Sequence, residues 1–312
     1  MFKKQDSLLL LVTFSSITIG VCLPAIGLPF SGLPKYCMMA LLFLSFLSIR
    51  IPSIWQTSKA QVGRIILILF YKLGLLPIAA YFLFNLIAPQ YALAALLLSG
   101  ISTGVVSPFF ADRLDVDTTF VLVIVVLSSI LVPFTLPVLV SFLFGQTMDI
   151  SLSGMIKLLG MVVFFPLAAV QLLRTSSPSL IEGLQKIRYP LSLLLFAVTN
   201  LGVFSGYAEF FKQNPIMIAE SFVVAVGLAV FYMITGIVAN FRRPTSEIID
   251  TIIIFGIMNN ILVIVFSSEF FGAIEPAVAA IYTIPFYGFI LPLRFLQSWK
   301  EKKDIGNMNA GR

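Results

Sequence analysis

Lys72 falls in the middle of an apolar stretch, Val62 to Ile87. A lysine near the bilayer centre costs roughly 2.5–3.5 kcal/mol on insertion scales, so it needs a polar cavity or partner. Such a group offers a fixed positive charge for an anion, or a site that loads and releases a proton. Two polar runs supply hydrogen-bonding groups to go with it: Gly100-Ile101-Ser102-Thr103-Gly104 followed by Ser107-Pro108, and Gly256-Ile257-Met258-Asn259-Asn260. Their hydroxyls and amides can bind and orient a ligand. The chain has no His and only two cysteines, Cys22 and Cys37, which removes His-ligated zinc, His-based triads and cysteine-held clusters. No paired intramembrane carboxylates take their place, so an enzyme is the poorer expectation, and no cofactor or metal is expected. The two thiols are read as separate packed groups.

The elements that must position these groups follow from composition. With 59% hydrophobic residues, 11% charged residues and a mean hydropathy of +1.04, most of the chain has the bilayer as its solvent. A spanning helix takes about 20 mostly apolar residues. The sequence then predicts ten spans, near 7–26, 33–51, 62–87, 90–111, 116–144, 151–173, 189–208, 215–241, 247–271 and 276–297. The first is full-length and meets no small-residue cleavage site before Pro24, so it is read as retained.

Charge sets the orientation. Lys3, Lys4, Arg50, Lys59, Arg64, Arg113, Arg174, Lys186, Arg188, Arg242, Arg243 and Arg294 fall on one side, with Lys300, Lys302, Lys303 and Arg312. Lys35, Lys157 and Lys212 fall on the other. The positive-inside rule then puts both termini in the cytoplasm, as expected for a bacterial inner-membrane protein. The net charge of +6 reports this orientation, and a nucleic-acid partner has no support. The basic tail from Lys300 to Lys303 could touch anionic membrane lipid, although a solvated anchor is the plainer reading.

Five spans before Gly145 and five after Ser151 must run in opposite senses. The expected fold is therefore all-α, with ten transmembrane helices in two inverted five-helix repeats, residues 1–145 and 146–312. The two polar runs interrupt the fourth and ninth spans, at corresponding places in the two halves. Interrupted helices so placed point to a midplane binding site, because half-helix ends and unwound backbone supply ligands there. The plainer alternative is close helix packing through small residues, which leaves the Asn259-Asn260 amides unexplained.

From Leu97 to Gly145 the chain resembles the fourth and fifth spans of the bile acid:sodium symporter family. The likeness rests on Ser107 in a glycine- and serine-containing break, Asp117 leading into the next helix, Ser128-Ser129, and Pro133 with Pro137. Leu76-Pro77 in the third span and Gly256 to Asn259 in the ninth are also similar. The resemblance implies a core subdomain of spans 3–5 and 8–10, in which the broken spans 4 and 9 cross at Gly100, Gly104, Pro108 and Gly256. Spans 1, 2, 6 and 7 would form a panel subdomain. Sodium-coupled members hold two sodium ions at the crossing, through the oxygen ligands a hard cation wants.

This sequence departs from that ligand pattern. Relative to the family, the amide of the fourth span becomes Pro108, and the fifth-span hydroxyls become Val121 and Val125. The ninth-span carboxylate and amide become Ile254 and Met258, and the third-span amide becomes Lys72. A fixed cation replacing a carboxylate-bearing site repels sodium. The resemblance thus implies a secondary transporter in which Lys72 stands where sodium stands in a relative and favours an anionic substrate. Ser102, Thr103, Ser107, Asn259 and Asn260 would hydrogen-bond that substrate. A second reading makes Lys72 a proton carrier, with a proton as the coupling ion, since burial penalises an ammonium. A third has it snorkel toward Arg64, eight residues and about 12 Å back along the helix.

Asp117 is expected to cap the fifth helix, Asp250 to be a helix-start carboxylate, and Glu220 to face the interface rather than Lys72. The substrate class that fits is a small organic anion or a bile-acid-like amphipathic carboxylate. Two rivals share the fold: a membrane receptor or sensor that binds the anion without moving it, and an exporter like the auxin efflux carriers.

Overall fold

A computed structural model describes residues 4–47, 59, 61–145, 151–289 and 291–297. The basic residues Lys3, Arg50, Lys300, Lys302, Lys303 and Arg312 lie outside the described residues. In chain order the main helices are α1 (Lys4–Cys22), α2 (Pro24–Gly27), α3 (Pro34–Phe46), α4 (Val62–Ile87), α5 (Ala92–Gly100), α6 (Ser107–Arg113) and α7 (Thr118–Phe144). Then come α8 (Leu152–Ser176), α9 (Pro178–Gly206), α10 (Ala208–Gln213), α11 (Ile216–Ala239), α12 (Thr245–Gly256), α13 (Asn260–Phe270), α14 (Ile274–Ile281) and α15 (Thr283–Gly288).

Six helices among the described residues are long and apolar enough to cross a membrane: Val62–Ile87, Thr118–Phe144, Leu152–Ser176, Ser179–Gly206, Ile216–Ala239 and Ile274–Gln297. The chain is an integral, multi-pass, all-helical membrane protein. The other expected spans are bent or broken. Residues Leu11–Cys22 and Pro24–Phe30 meet at 111°, where Pro24 cannot continue the hydrogen-bond ladder of α1. The stretches near 90–111 and 247–271 are each split in two, into α5 with α6 and α12 with α13. Only 13 residues of the second stretch are helical as α3, and positions 48–51 lie outside the described residues.

Local chemistry explains several boundaries. Asp117 starts α7 as expected, its Oδ1 accepting from the Phe120 N–H at 2.9 Å, and Ser151 does the same for α8 through Gly154 N–H at 3.0 Å. These side chains satisfy donors that a helix start leaves open. Within α4, residues Tyr71–Leu75 form a π turn that includes Lys72. Pro77 follows; it has no N–H to offer Leu73 and its ring crowds that carbonyl, so the ladder widens ahead of it.

The helices pack in two groups. In one, α9 lies against α1, α2 and α3, and α3 against α8. In the other, α5 packs on α4, α7 and α14, α12 on α6, α7 and α11, and α13 on α14. The groups meet where α13 touches α3, α8 and α9, and where α8 follows α7. Buried side chains concentrate in the second group. Ala94, Leu96, Leu97, Val121, Ile253, Ile254 and Phe266 are all 1% exposed or less, whereas lipid-width apolar groups such as Leu86 and Phe142 are over 80% exposed.

Candidate functional site

The two helix breaks lie against each other. Gly100 ends α5 and Gly256 ends α12, and the residue after each, Ile101 and Ile257, is extended. The extended strands pair antiparallel: Gly104 N–H donates to Ile257 O at 2.7 Å, and Asn259 N–H donates to Ser102 O at 3.1 Å. Backbone groups that helix breaking releases at membrane depth are thus satisfied by each other, as a buried site demands. The approach needs a glycine. A Cβ on Gly104 would lie 2.6 Å from Met258 O.

Side chains complete the crossing. Thr103 N–H donates to Ser128 Oγ at 3.1 Å, Thr103 Oγ1 donates to Ile254 O at 3.1 Å, and Ser107 Oγ donates to Ile257 O at 3.3 Å. The hydroxyl protons of Thr103 and Ser107, expected at a substrate, are therefore spent between the two broken helices. Three other polar atoms are buried with no partner: Ser102 Oγ, Asn259 Nδ2 and Asn260 Oδ1. Asn260 Nδ2 reaches Thr283 Oγ1 at 3.3 Å. A buried unpaired amide or hydroxyl costs about 1–3 kcal/mol, so this cluster, at the N-terminal end of α13, is suited to a polar ligand. The helix end itself favours negative charge.

Lys72 is fully buried. Its Nζ donates to Ser99 O at 2.8 Å and to Met258 Sδ at 2.8 Å. It does not run back toward Arg64, so the snorkelling alternative falls. Ser99 belongs to the last turn of α5, whose carbonyls lack intrahelical donors and carry the negative end of the helix dipole. A cation there is favourable on both counts. Met258, a lost ligand by comparison with the family pattern, instead supplies a weak sulfur acceptor. Among the described residues no carboxylate pairs with Lys72; Glu220 instead accepts from Tyr91 Oη at 2.8 Å and Gln90 Nε2 at 3.0 Å.

The remaining replaced positions form an apolar wall. Val121 and Ile254 are 0% exposed, Val125 is 1% exposed and Met258 2%, while Pro108 is half-buried at the start of α6. No side-chain oxygen is present at any of the five.

Sequence reasoning missed four partners of this site. Ser99 contributes through its backbone, which no side-chain pattern reveals, and its Oγ also meets Tyr232 Oη at 2.8 Å. Tyr282 Oη donates to Gly256 O at 2.7 Å, though both tyrosines look like packing aromatics in the sequence. Asp250 is more than a helix-start carboxylate. It is 1% exposed, pairs with Arg64 Nη2 at 2.9 Å, and accepts from Asp117 N–H at 3.2 Å. Arg64 also sits 3.6 Å from Glu247 and lies over the Phe120 ring, 3.8 Å from its centroid. This network ties the starts of α4, α7 and α12 together below the crossing.

Residues 35–214 match the family described as Sodium Bile acid symporter family. That range holds Lys72, the first break and the apolar wall at Val121 and Val125, while Asn259 and Asn260 lie beyond it. No curated protein matches the chain.

Proposed function

The chain belongs to the sodium bile acid symporter family, and from that premise we propose that it is a sodium-independent secondary transporter of a small organic anion. The cargo class is an amphipathic, bile-acid-like carboxylate. Ten spans in two inverted five-helix repeats, residues 1–145 and 146–312, carry it by alternating access in a bacterial inner membrane, with both termini cytoplasmic. Spans 3–5 and 8–10 act as the core, and spans 1, 2, 6 and 7 act as the panel it rocks against.

The observation that carries this reading is the position of Lys72, whose Nζ joins Ser99 O of one broken helix to Met258 Sδ of the other. A cation is thereby built into the crossing, and the replaced positions Val121, Val125 and Ile254 have no side-chain oxygen for another. Because both hydrogen bonds of Lys72 go to the protein, its charge acts on the anion through space. Direct contacts fall to Ser102 Oγ and Asn259 Nδ2 as donors. Asn260 Oδ1, an acceptor, suits a hydroxyl on the same substrate. Thr103 and Ser107 hold the crossing together.

The test is a thermal-shift screen of the purified protein against organic anions, in sodium chloride and in choline chloride at equal ionic strength. A binding anion raises the midpoint with the logarithm of its concentration. Its affinity is expected to change less than about twofold, roughly 0.4 kcal/mol, between the two salts. Saturable sodium dependence refutes the reading. The same loss of ion ligands favours a second reading, a receptor or sensor that binds the anion and does not move it. Binding without counterflow in proteoliposomes supports that one.

A further inference from the structure

Both helices that break at the crossing end in a carbonyl-rich last turn, and two such turns brought together concentrate negative partial charge in an apolar wall. Lys72 answers the first of them. The second, at the end of α12, is answered from a different helix: Tyr282 Oη donates to Gly256 O at 2.7 Å, and Tyr282 is 0% exposed. Its ring is held edge-on against Tyr232, with centroids 5.8 Å apart, and Tyr232 in turn bonds Ser99 Oγ at 2.8 Å. A continuous chain of contacts therefore runs from Lys72 through Ser99, Tyr232 and Tyr282 to Gly256.

Two donors of unlike type thus cap the two helix ends. We infer that Tyr282 is a positioning residue that closes the end of α12, as Lys72 closes the end of α5, so that the crossing is complete with no ion in it. A phenol is neutral, but its O–H occupies the carbonyl lone pair that a hard cation would otherwise use. The inference rests on the proposed sodium independence and extends it to the second half-site. It assigns to Tyr282 no contact with substrate.

Tyr282→Phe removes the hydroxyl and keeps the ring, leaving Gly256 O open. Tyr232→Phe is the matched control: it too deletes a buried phenolic hydrogen bond, but to a serine hydroxyl that still donates to Ala95 O at 2.6 Å, so no helix-end carbonyl is freed. Thermal midpoints of wild type and both variants, without substrate, are followed as sodium chloride replaces choline chloride at constant ionic strength. Tyr282→Phe is expected to gain a saturable, sodium-specific rise of about 2 °C or more, while Tyr232→Phe and the wild type stay flat. If Tyr282→Phe survives extraction only in sodium, that supports the inference equally. A Tyr282→Phe protein that is destabilised with no sodium response, or lost in both salts, overturns it. A wild type that itself responds to sodium sinks the ion-independent reading, and the cap at Gly256 is then judged by whether Tyr282→Phe enlarges that response.

Discussion

Lys72 Nζ lies 2.8 Å from Met258 Sδ, across a separation of 186 residues. Arg64 and Asp250 are separated by the same 186 residues and meet at 2.9 Å. The first pair is thus eight residues beyond the second on both segments, so α4 and the inner half of the ninth stretch rise side by side in the same direction. At 1.5 Å per residue the two contacts are about 12 Å apart. One helix therefore carries two basic side chains to its neighbour, one near the start of α12 and one just past its broken end.

Lys72→Met keeps most of the side-chain volume and removes the donor. Ser99 O then loses its partner, and the expected cost to stability is about 1–3 kcal/mol. Anion binding is expected to weaken more than tenfold, while expression remains measurable. Isothermal titration or thermal-shift affinity with the best anion checks this. Unchanged affinity for the variant at every pH tested would remove Lys72 from the mechanism.

Gly104→Ala places a Cβ 2.6 Å from the Met258 carbonyl oxygen, a backbone atom held by the paired strands. Overpacking of this kind costs about 1–3 kcal/mol, and here it also spreads the crossing. Gly63→Ala, where nothing lies within 4 Å, is expected to be neutral or slightly stabilising. The two midpoints, measured in parallel, should separate by several degrees; equal midpoints contradict the described pairing.

Asp250→Ala leaves Arg64 with the more distant Glu247, at 3.6 Å, and the Phe120 ring. Breaking a buried ion pair by removing one partner costs about 3–5 kcal/mol, and the partial exposure of Arg64, 21%, reduces this to roughly 2–3 kcal/mol. The Arg64→Ala, Asp250→Ala double variant should lose less than the sum of the singles. Additive losses would mean that the pair contributes no coupling.

A reporter fused after Arg312 is expected to be active only as a cytoplasmic reporter, because the basic residues cluster on that side of the proposed ten-span arrangement. An externally active fusion would invert the orientation.

The breaks at Gly100 and Gly256 and the intramembrane Lys72 were legible in the sequence, because glycine and charge stand out against an apolar background. Asp117 was legible as a cap for the same local reason. Asp250 was not. A carboxylate six residues into a helix has an ordinary local explanation, and its partner Arg64 resembles an orientation-setting surface charge. The roles of Ser99 and Gly256 are carried by main-chain oxygens, and that of Tyr282 by one hydroxyl on an aromatic that packing alone would justify. Thr103 and Ser107 were singled out correctly as polar groups at the break, but type and spacing could not say whether their hydroxyls faced a ligand or the opposite strand.

The paired strands at the crossing also place a demand on biosynthesis. Gly104 N–H and Ser102 O find their hydrogen-bond partners in Ile257 and Asn259, more than 150 residues later in the chain. At about 5–20 residues per second, the ribosome needs roughly 8–30 s to supply them. Throughout that interval the first break has open backbone groups that cost several kcal/mol each in hydrocarbon. The newly made first half must therefore wait at the membrane–water boundary or in the shelter of the insertion machinery, and the crossing closes as one of the last events of assembly.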